Sequence, residues 1–196
     1  MKKHIIALSI VLAVMLLYSE LAEAQLHRYD NGEWVMRHEF EMGVKQYTPL
    51  VKALRYAKRG QVIRIAIVHN RGGYVHTLKY VTDAMQRSRA TIRLRLVGYG
   101  YSAGAIILTY GHSVWIPKHS RILYHQISGD DGYRDRSTYR SSVAWHREAR
   151  AFRFMTRSQQ RAWHNGRDVI VKGYQMCKMA GAKLVKNQGC YIRGIK

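Results

Sequence analysis

The sequence predicts an α/β domain built on parallel strands, and three features predict it. β-branched runs alternate with stretches of helical spacing, glycine and proline punctuate the junctions, and two short strand-like runs flank Pro117. This βαβαβ order implies right-handed crossovers between parallel neighbours.

Residues 33–40 read as a strand. Thr48 then offers an N-cap with Pro49 at the first helical position, and Leu50, Leu54 and Ala57 repeat at helical spacing up to Gly60. Residues 61–69 place Ile63, Ile65 and Ile67 on one face of a strand that Gly72-Gly73 breaks, and Leu78, Val81 and Met85 line the helix that follows. Residues 91–97 alternate through Ile92, Leu94 and Leu96, after which Ser102 opens an apolar helix to about Tyr110. Residues 113–116 and 121–124 are short strands. From Thr138 to about Met155 the sequence predicts a long helix, with Trp145, Phe152 and Met155 on one face and Arg140, Arg147, Arg150, Arg157 and Arg161 on another. Asn165-Gly166 ends the helical region, residues 167–171 are strand-like, and residues 174–180 form a last helix.

The first 24 residues carry an address. Lys2 and Lys3 precede the apolar run 5–17, and Ala22-Glu23-Ala24 supplies a small-x-small cleavage site, so residues 1–24 read as a signal peptide and residues 25–196 as a single domain. The expected destination is periplasmic or secreted, with an uncleaved N-terminal anchor as the alternative. Cys177 and Cys190 fit an oxidising compartment, where a lone pair most often forms a disulfide. Two thiols and scattered histidines argue against structural zinc.

Charge is the other signal. Lys2, Lys3, Glu20 and Glu23 cancel, so cleavage leaves the net charge at +21. Such a surface attracts polyanions, an anionic envelope surface among them. The arginines are spread along the chain and no zinc-finger spacing or aromatic RNA-binding strand occurs, so no specific nucleic acid is expected.

Chemistry concentrates at Gly98-Tyr99-Gly100-Tyr101-Ser102-Ala103-Gly104-Ala105. A serine hydroxyl at neutral pH needs a neighbouring base and donors for the oxyanion it creates. At a helix start, Ser102 has backbone N–H groups and the positive end of the helix dipole beside it, which makes the Ala103 N–H a candidate donor. The Gly72-Gly73 turn is another, because no side chain bars a substrate carbonyl there.

Residues 62–128 resemble the central part of the proteolytic subunit of the Clp protease, ClpP. The resemblance rests on Gly72-Gly73, Asp83-Ala84-Met85, Ser102-Ala103-Gly104-Ala105 and His125-Gln126, in that order. It implies a ClpP/crotonase-like fold of superhelical ββα repeats with a parallel sheet and a long helix in the C-terminal half. It also implies a serine endopeptidase that uses no cofactor, acts on peptides or unfolded proteins, and assembles into homo-oligomers.

Ser102 is then the nucleophile and His125, closing a strand after the nucleophile helix, the general base. Nine other histidines compete, and His69, His76, His112 and His119 read as surface or hydrogen-bonded residues. The family's triad aspartate lies in an Arg-Asp pair after the long helix, which Arg167-Asp168 matches; Asp168 is also the one acidic residue after Glu148. Asp130, Asp131 and Asp135 follow His125 too closely to be preferred.

The chain departs from the family where Arg71 replaces the proline of a Ser-Pro-Gly-Gly turn. A signal peptide also conflicts with an ATP-driven unfoldase, so no ATPase partner and no ATP requirement are expected. Three rivals stand beside this reading. Gly100-Tyr101-Ser102-Ala103-Gly104 spells the G-x-S-x-G esterase elbow, which would take His146 or His164 as base. Envelope signal-peptide peptidases pair serine with lysine, for which Lys79 and Lys118 are the candidates. The third is a catalytically inactive cationic binding protein of the envelope.

Overall fold

A computed structural model describes residues 26–28, 31–40, 44–126 and 149–193. The predicted signal peptide and residues 138–148 of the predicted long helix lie outside the described residues. No helix among the described residues is long and apolar enough to cross a membrane.

The chain forms β1 (Leu26–Arg28), β2 (Trp34–Phe40), α1 (Thr48–Tyr56), β3 (Val62–Gly73), α2 (Val75–Arg87), β4 (Thr91–Tyr101) and α3 (Ala103–Ile106). After these come β5 (Ser113–Pro117), β6 (Arg121–Tyr124), α4 (Arg157–His164), β7 (Val169–Lys172), α5 (Gly173–Met179) and β8 (Gly189–Arg193). The sheet runs β1-β2-β3-β4-β5-β8, with β6 attached to β4 and β7 to β6. Strands β2, β3 and β4 are mutually parallel, and β5 and β6 both run parallel to β4. This is the mixed α/β architecture that the alternating pattern predicts.

The buried faces explain the pairing. Ile63, Ile65 and Ile67 of β3 meet Ile92, Leu94 and Leu96 of β4 in register, all buried. Leu50, Val51 and Leu54 of α1 and Leu78, Val81 and Met85 of α2 are buried in the same core. At about 25 cal/mol per Å² of apolar surface, this burial drives the fold.

Three local readings are corrected. Thr48 is not the N-cap of α1: Tyr47 is, and the Thr48 hydroxyl donates to the Val44 carbonyl at 3.4 Å within a preceding 3₁₀ turn. The apolar helix after Ser102 is two pieces, because α3 tightens into a 3₁₀ turn at Ile107–Tyr110. The C-terminal end of the predicted long helix is also broken. Arg150–Phe154 is a 3₁₀ turn, Met155 is extended at φ −113° and ψ 140°, and Thr156 restarts the chain as α4 with a capping box to Gln159. Arg157 and Arg161 therefore belong to a different helix from Arg150.

β4 forks, and the fork positions the serine. Its first half pairs with β5 at Arg93–Arg95, and its last residues pair with β6 at Tyr99–Tyr101. Gly98 sits at the change of partner with φ +78°, and a Cβ there would collide with the His69 ring. At the far edge a disulfide joins Cys177 of α5 to Cys190 of β8, both buried.

Candidate active site

Ser102 stands where β4 turns into α3, with φ 53° and ψ −122°. Such a conformation costs an L-residue about 1–3 kcal/mol, so the surroundings must hold it. The Ser102 N–H donates to the Leu123 carbonyl of β6 at 2.8 Å, and its carbonyl accepts from the N–H groups of Ala105 and Ile106 at 2.9 and 3.0 Å. The serine side of this bend is half-exposed, whereas Ala103, Gly104, Ala105 and Ile106 behind it are buried.

The glycine turn at the end of β3 lies against this bend. A Cβ on Gly72 would stand 2.6 Å from Ser102 Cβ, 2.8 Å from the Tyr101 carbonyl oxygen and 3.0 Å from the Ala103 nitrogen. Only glycine fits there, and its φ of +106° is equally unfavourable to a side chain. The Gly72 N–H is already engaged, donating to Asn70 Oδ1 at 2.9 Å. Gly73, at φ +123°, is exposed.

Asn70 is a residue that sequence reasoning missed. It is fully buried, its side chain packs where a Cβ on Gly104 would be, and its Nδ2 has no hydrogen-bond partner among the described residues. It thus joins the glycine turn to the first turn after Ser102.

His125 follows the last residue of β6. Its Nδ1 is hydrogen-bonded to the Gln126 carbonyl, and a carbonyl oxygen only accepts. The hydrogen is therefore on Nδ1 and the lone pair on Nε2, the tautomer a general base requires. The β4–β6 register ends at Tyr101↔Leu123 and the Ser102 N–H donates to the Leu123 carbonyl, so the serine backbone is bonded to β6 two residues before His125. The β6–β7 register ends at Tyr124↔Val169, and His125 and Asp168 are the next residues of the two segments beyond that pair.

The backbones bearing Ser102, His125 and Asp168 thus converge at one end of the sheet. Asp168 itself is exposed and forms no ion pair among the described residues, and the imidazole bonds to Gln126 rather than to it. Gln126 is a second residue that sequence reasoning left without a role. Its Nε2 donates to the Trp163 carbonyl at 2.9 Å, clasping the C-terminal turn of α4 from which the chain runs to Asp168. Tyr124 is buried; burial pushes its phenol well above the usual range, and its hydroxyl has no partner among the described residues.

The rival residues are engaged elsewhere. Lys79 pairs with Asp83 at 2.6 Å, and Lys118 donates to Asn187 at 2.7 Å. His112 Nδ1 accepts the Ile92 N–H at 2.9 Å, and the His164 ring packs on Phe152 and Trp163. His146, Asp130, Asp131 and Asp135 lie outside the described residues. No group of three metal-binding side chains occurs among the described residues.

Residues 41–138 match the family model described as Clp protease. The chain is similar in structure to the catalytic domain of the ClpP protease from Plasmodium falciparum. The TM-score is 0.54 at 17% identity, over 74% of this chain and 79% of that one. No curated protein matches the sequence. The fold is accordingly ClpP/crotonase-like.

Proposed function

This chain belongs to the Clp protease family, a family of serine peptidases, and we propose that it is an exported, ATP-independent serine endopeptidase working through Ser102, His125 and Asp168. The observation that carries the reading is the bend at Ser102, a strained serine bonded to β6 and seated against a glycine turn.

In this mechanism Ser102 Oγ attacks the peptide carbonyl while His125 Nε2 takes its proton, then returns it to the leaving amine. Ala103 N–H and Gly73 N–H receive the oxyanion, since Gly72 N–H is committed to Asn70. Each such donor is typically worth about 3–4 kcal/mol in the transition state. Once the imidazolium forms, Asp168 swings onto Nδ1, taking over from the Gln126 carbonyl and offsetting the new charge.

Export follows from residues 1–24, and the bond between Cys177 and Cys190 suits an oxidising compartment. Free ATP is not needed for peptide hydrolysis of this kind, and the substrates are exposed or unfolded polypeptide segments. The cationic surface favours residence near an anionic envelope.

Hydrolysis of a peptide panel by the mature protein without ATP tests this reading. Turnover that Ser102→Ala abolishes supports it. Ester hydrolysis without peptide hydrolysis, lost in His164→Ala, points to the esterase; adhesion to anionic surfaces with no turnover points to the binding protein.

A further inference from the structure

The outer face of the sheet, remote from Ser102, carries a second feature. Arg64 of β3 is in register with Arg93 of β4, Arg93 with Ser113 of β5, and Ser113 with Arg193 of β8. Three exposed arginines therefore share one rung across four strands. Like charges facing one another across strands are destabilising, so the fold tolerates a local electrostatic cost here.

The one acidic residue lining the cavity at this face among the described residues does not relieve that cost. Glu33 is buried and committed to Arg95, which donates Nε to Oε1 at 2.7 Å and Nη2 to Oε2 at 2.6 Å. Among the described residues, the guanidinium groups of Arg64, Arg93 and Arg193 have no ion-pair or hydrogen-bond partner. Two rungs away, Trp115 pairs with Tyr191 across β5 and β8, their rings 4.7 Å apart and Tyr191 57% exposed. The cavity encloses about 630 Å³, within the range of ligand sites.

The geometry restricts the occupant. Strands lie about 4.8 Å apart, so the rung from Arg64 to Arg193 spans about 14 Å. One carboxylate or phosphate cannot bridge it; the ligand must carry several anionic groups along an extended body. Guanidinium groups bind carboxylates in a bidentate fork, and the neighbouring ring pair offers an apolar seat.

We propose that this face is an exosite for an acidic polypeptide segment containing an aromatic residue. Its carboxylates are held by Arg64, Arg93 and Arg193, and its ring rests on Trp115 and Tyr191. The polypeptide nature of the ligand rests on the peptidase reading; the anionic site does not. At about 3.3 Å per residue, Arg93 lies about 30 Å along β4 from Ser102. The site therefore binds substrate at a distance from the bond cleaved.

The test uses the full chain with Ser102→Ala and a fluorescein-labelled ten-residue peptide of glutamates with one phenylalanine, read by anisotropy at physiological salt. The peptide should bind saturably. Arg93→Gln with Arg193→Gln should weaken it at least tenfold, while the pair Lys52→Gln with Arg55→Gln on α1, which packs on the other side of the sheet, changes it less than twofold. Tyr191→Ala should weaken the phenylalanine peptide at least threefold and leave its alanine counterpart unchanged.

Removing the repulsion should leave the melting temperature of the Arg93/Arg193 variant equal or higher, so lost binding is not lost folding. Undiminished binding in that variant overturns the proposal. So does inorganic tripolyphosphate or a deoxyoligonucleotide of equal charge that displaces the peptide more tightly than the unlabelled peptide does. Wild-type protein that binds by this pattern yet hydrolyses no peptide would keep the exosite and remove the peptidase; hydrolysis without the pattern would do the reverse.

Discussion

Gly72 and Ser102 approach so closely that a methyl group on the glycine would stand 2.6 Å from the serine Cβ. Gly72→Ala must therefore displace either the turn or the serine, on top of placing alanine at φ +106°. We expect kcat/KM for peptide hydrolysis to fall by about 10²–10³, the usual effect of losing an oxyanion donor, with a stability loss of about 1–3 kcal/mol. Steady-state kinetics beside a urea titration checks both.

Asn70 anchors the same turn through its side-chain oxygen. Asn70→Ala leaves the buried Gly72 N–H without its acceptor, which costs about 1–3 kcal/mol. It should lower kcat more than it raises KM. Asn70→Asp keeps the acceptor but buries a charge, so it should retain more activity than the alanine variant while being no more stable. Equal kcat in all three proteins would remove Asn70 from the positioning of the turn.

Tyr124 and Tyr47 set the alkaline limit. Burial raises both phenols above the ordinary value of 10.0. Above pH 10 the unfolded chain loses protons that the folded chain keeps, so the stability present below pH 10 declines as pH rises, by about 1.4 kcal/mol per unit for each tyrosine. Denaturant titrations at pH 9, 10 and 11 should show this fall. Tyr124→Phe should lessen it and raise stability at pH 7 by about 1 kcal/mol, because the hydroxyl it removes has no partner among the described residues.

The bond between Cys177 and Cys190 closes a loop at 13 residues' separation and ties α5 to the edge strand β8. In the chain-entropy model a loop of this size contributes about 3 kcal/mol. Reduction, or alanine at both positions, should lower the melting temperature by about 6–12 °C in calorimetry. A change of under 2 °C would mean that the packing of α5 on β5 suffices without it.

The parallel order of strands and helices was legible because burial imposes periodicity, as Ile63, Ile65 and Ile67 illustrate. Boundaries were less so. Gly98 and Gly72 look like strand ends, yet β3 and β4 continue past them with irregular register between Val68 and Asn70. The restart at Thr156 was readable in principle, since Thr156 and Gln159 stand at capping-box spacing, but the apolar stripe across it overrode that signal. Ser102, Gly72 and His125 stood out by residue type and order. Asn70 did not, and Gln126 stood out only as the motif partner of His125, because their roles lie in what they face across space: Gln126 reaches a carbonyl 37 positions away.

The central claim is that His125 activates Ser102, and labelling with a fluorophosphonate probe tests it most directly. The account predicts modification mapped to Ser102 in the wild-type protein, slowed at least a hundredfold by His125→Ala and by a smaller factor by Asp168→Ala. Labelling at another residue, or at Ser102 with an unchanged rate in His125→Ala, would contradict it.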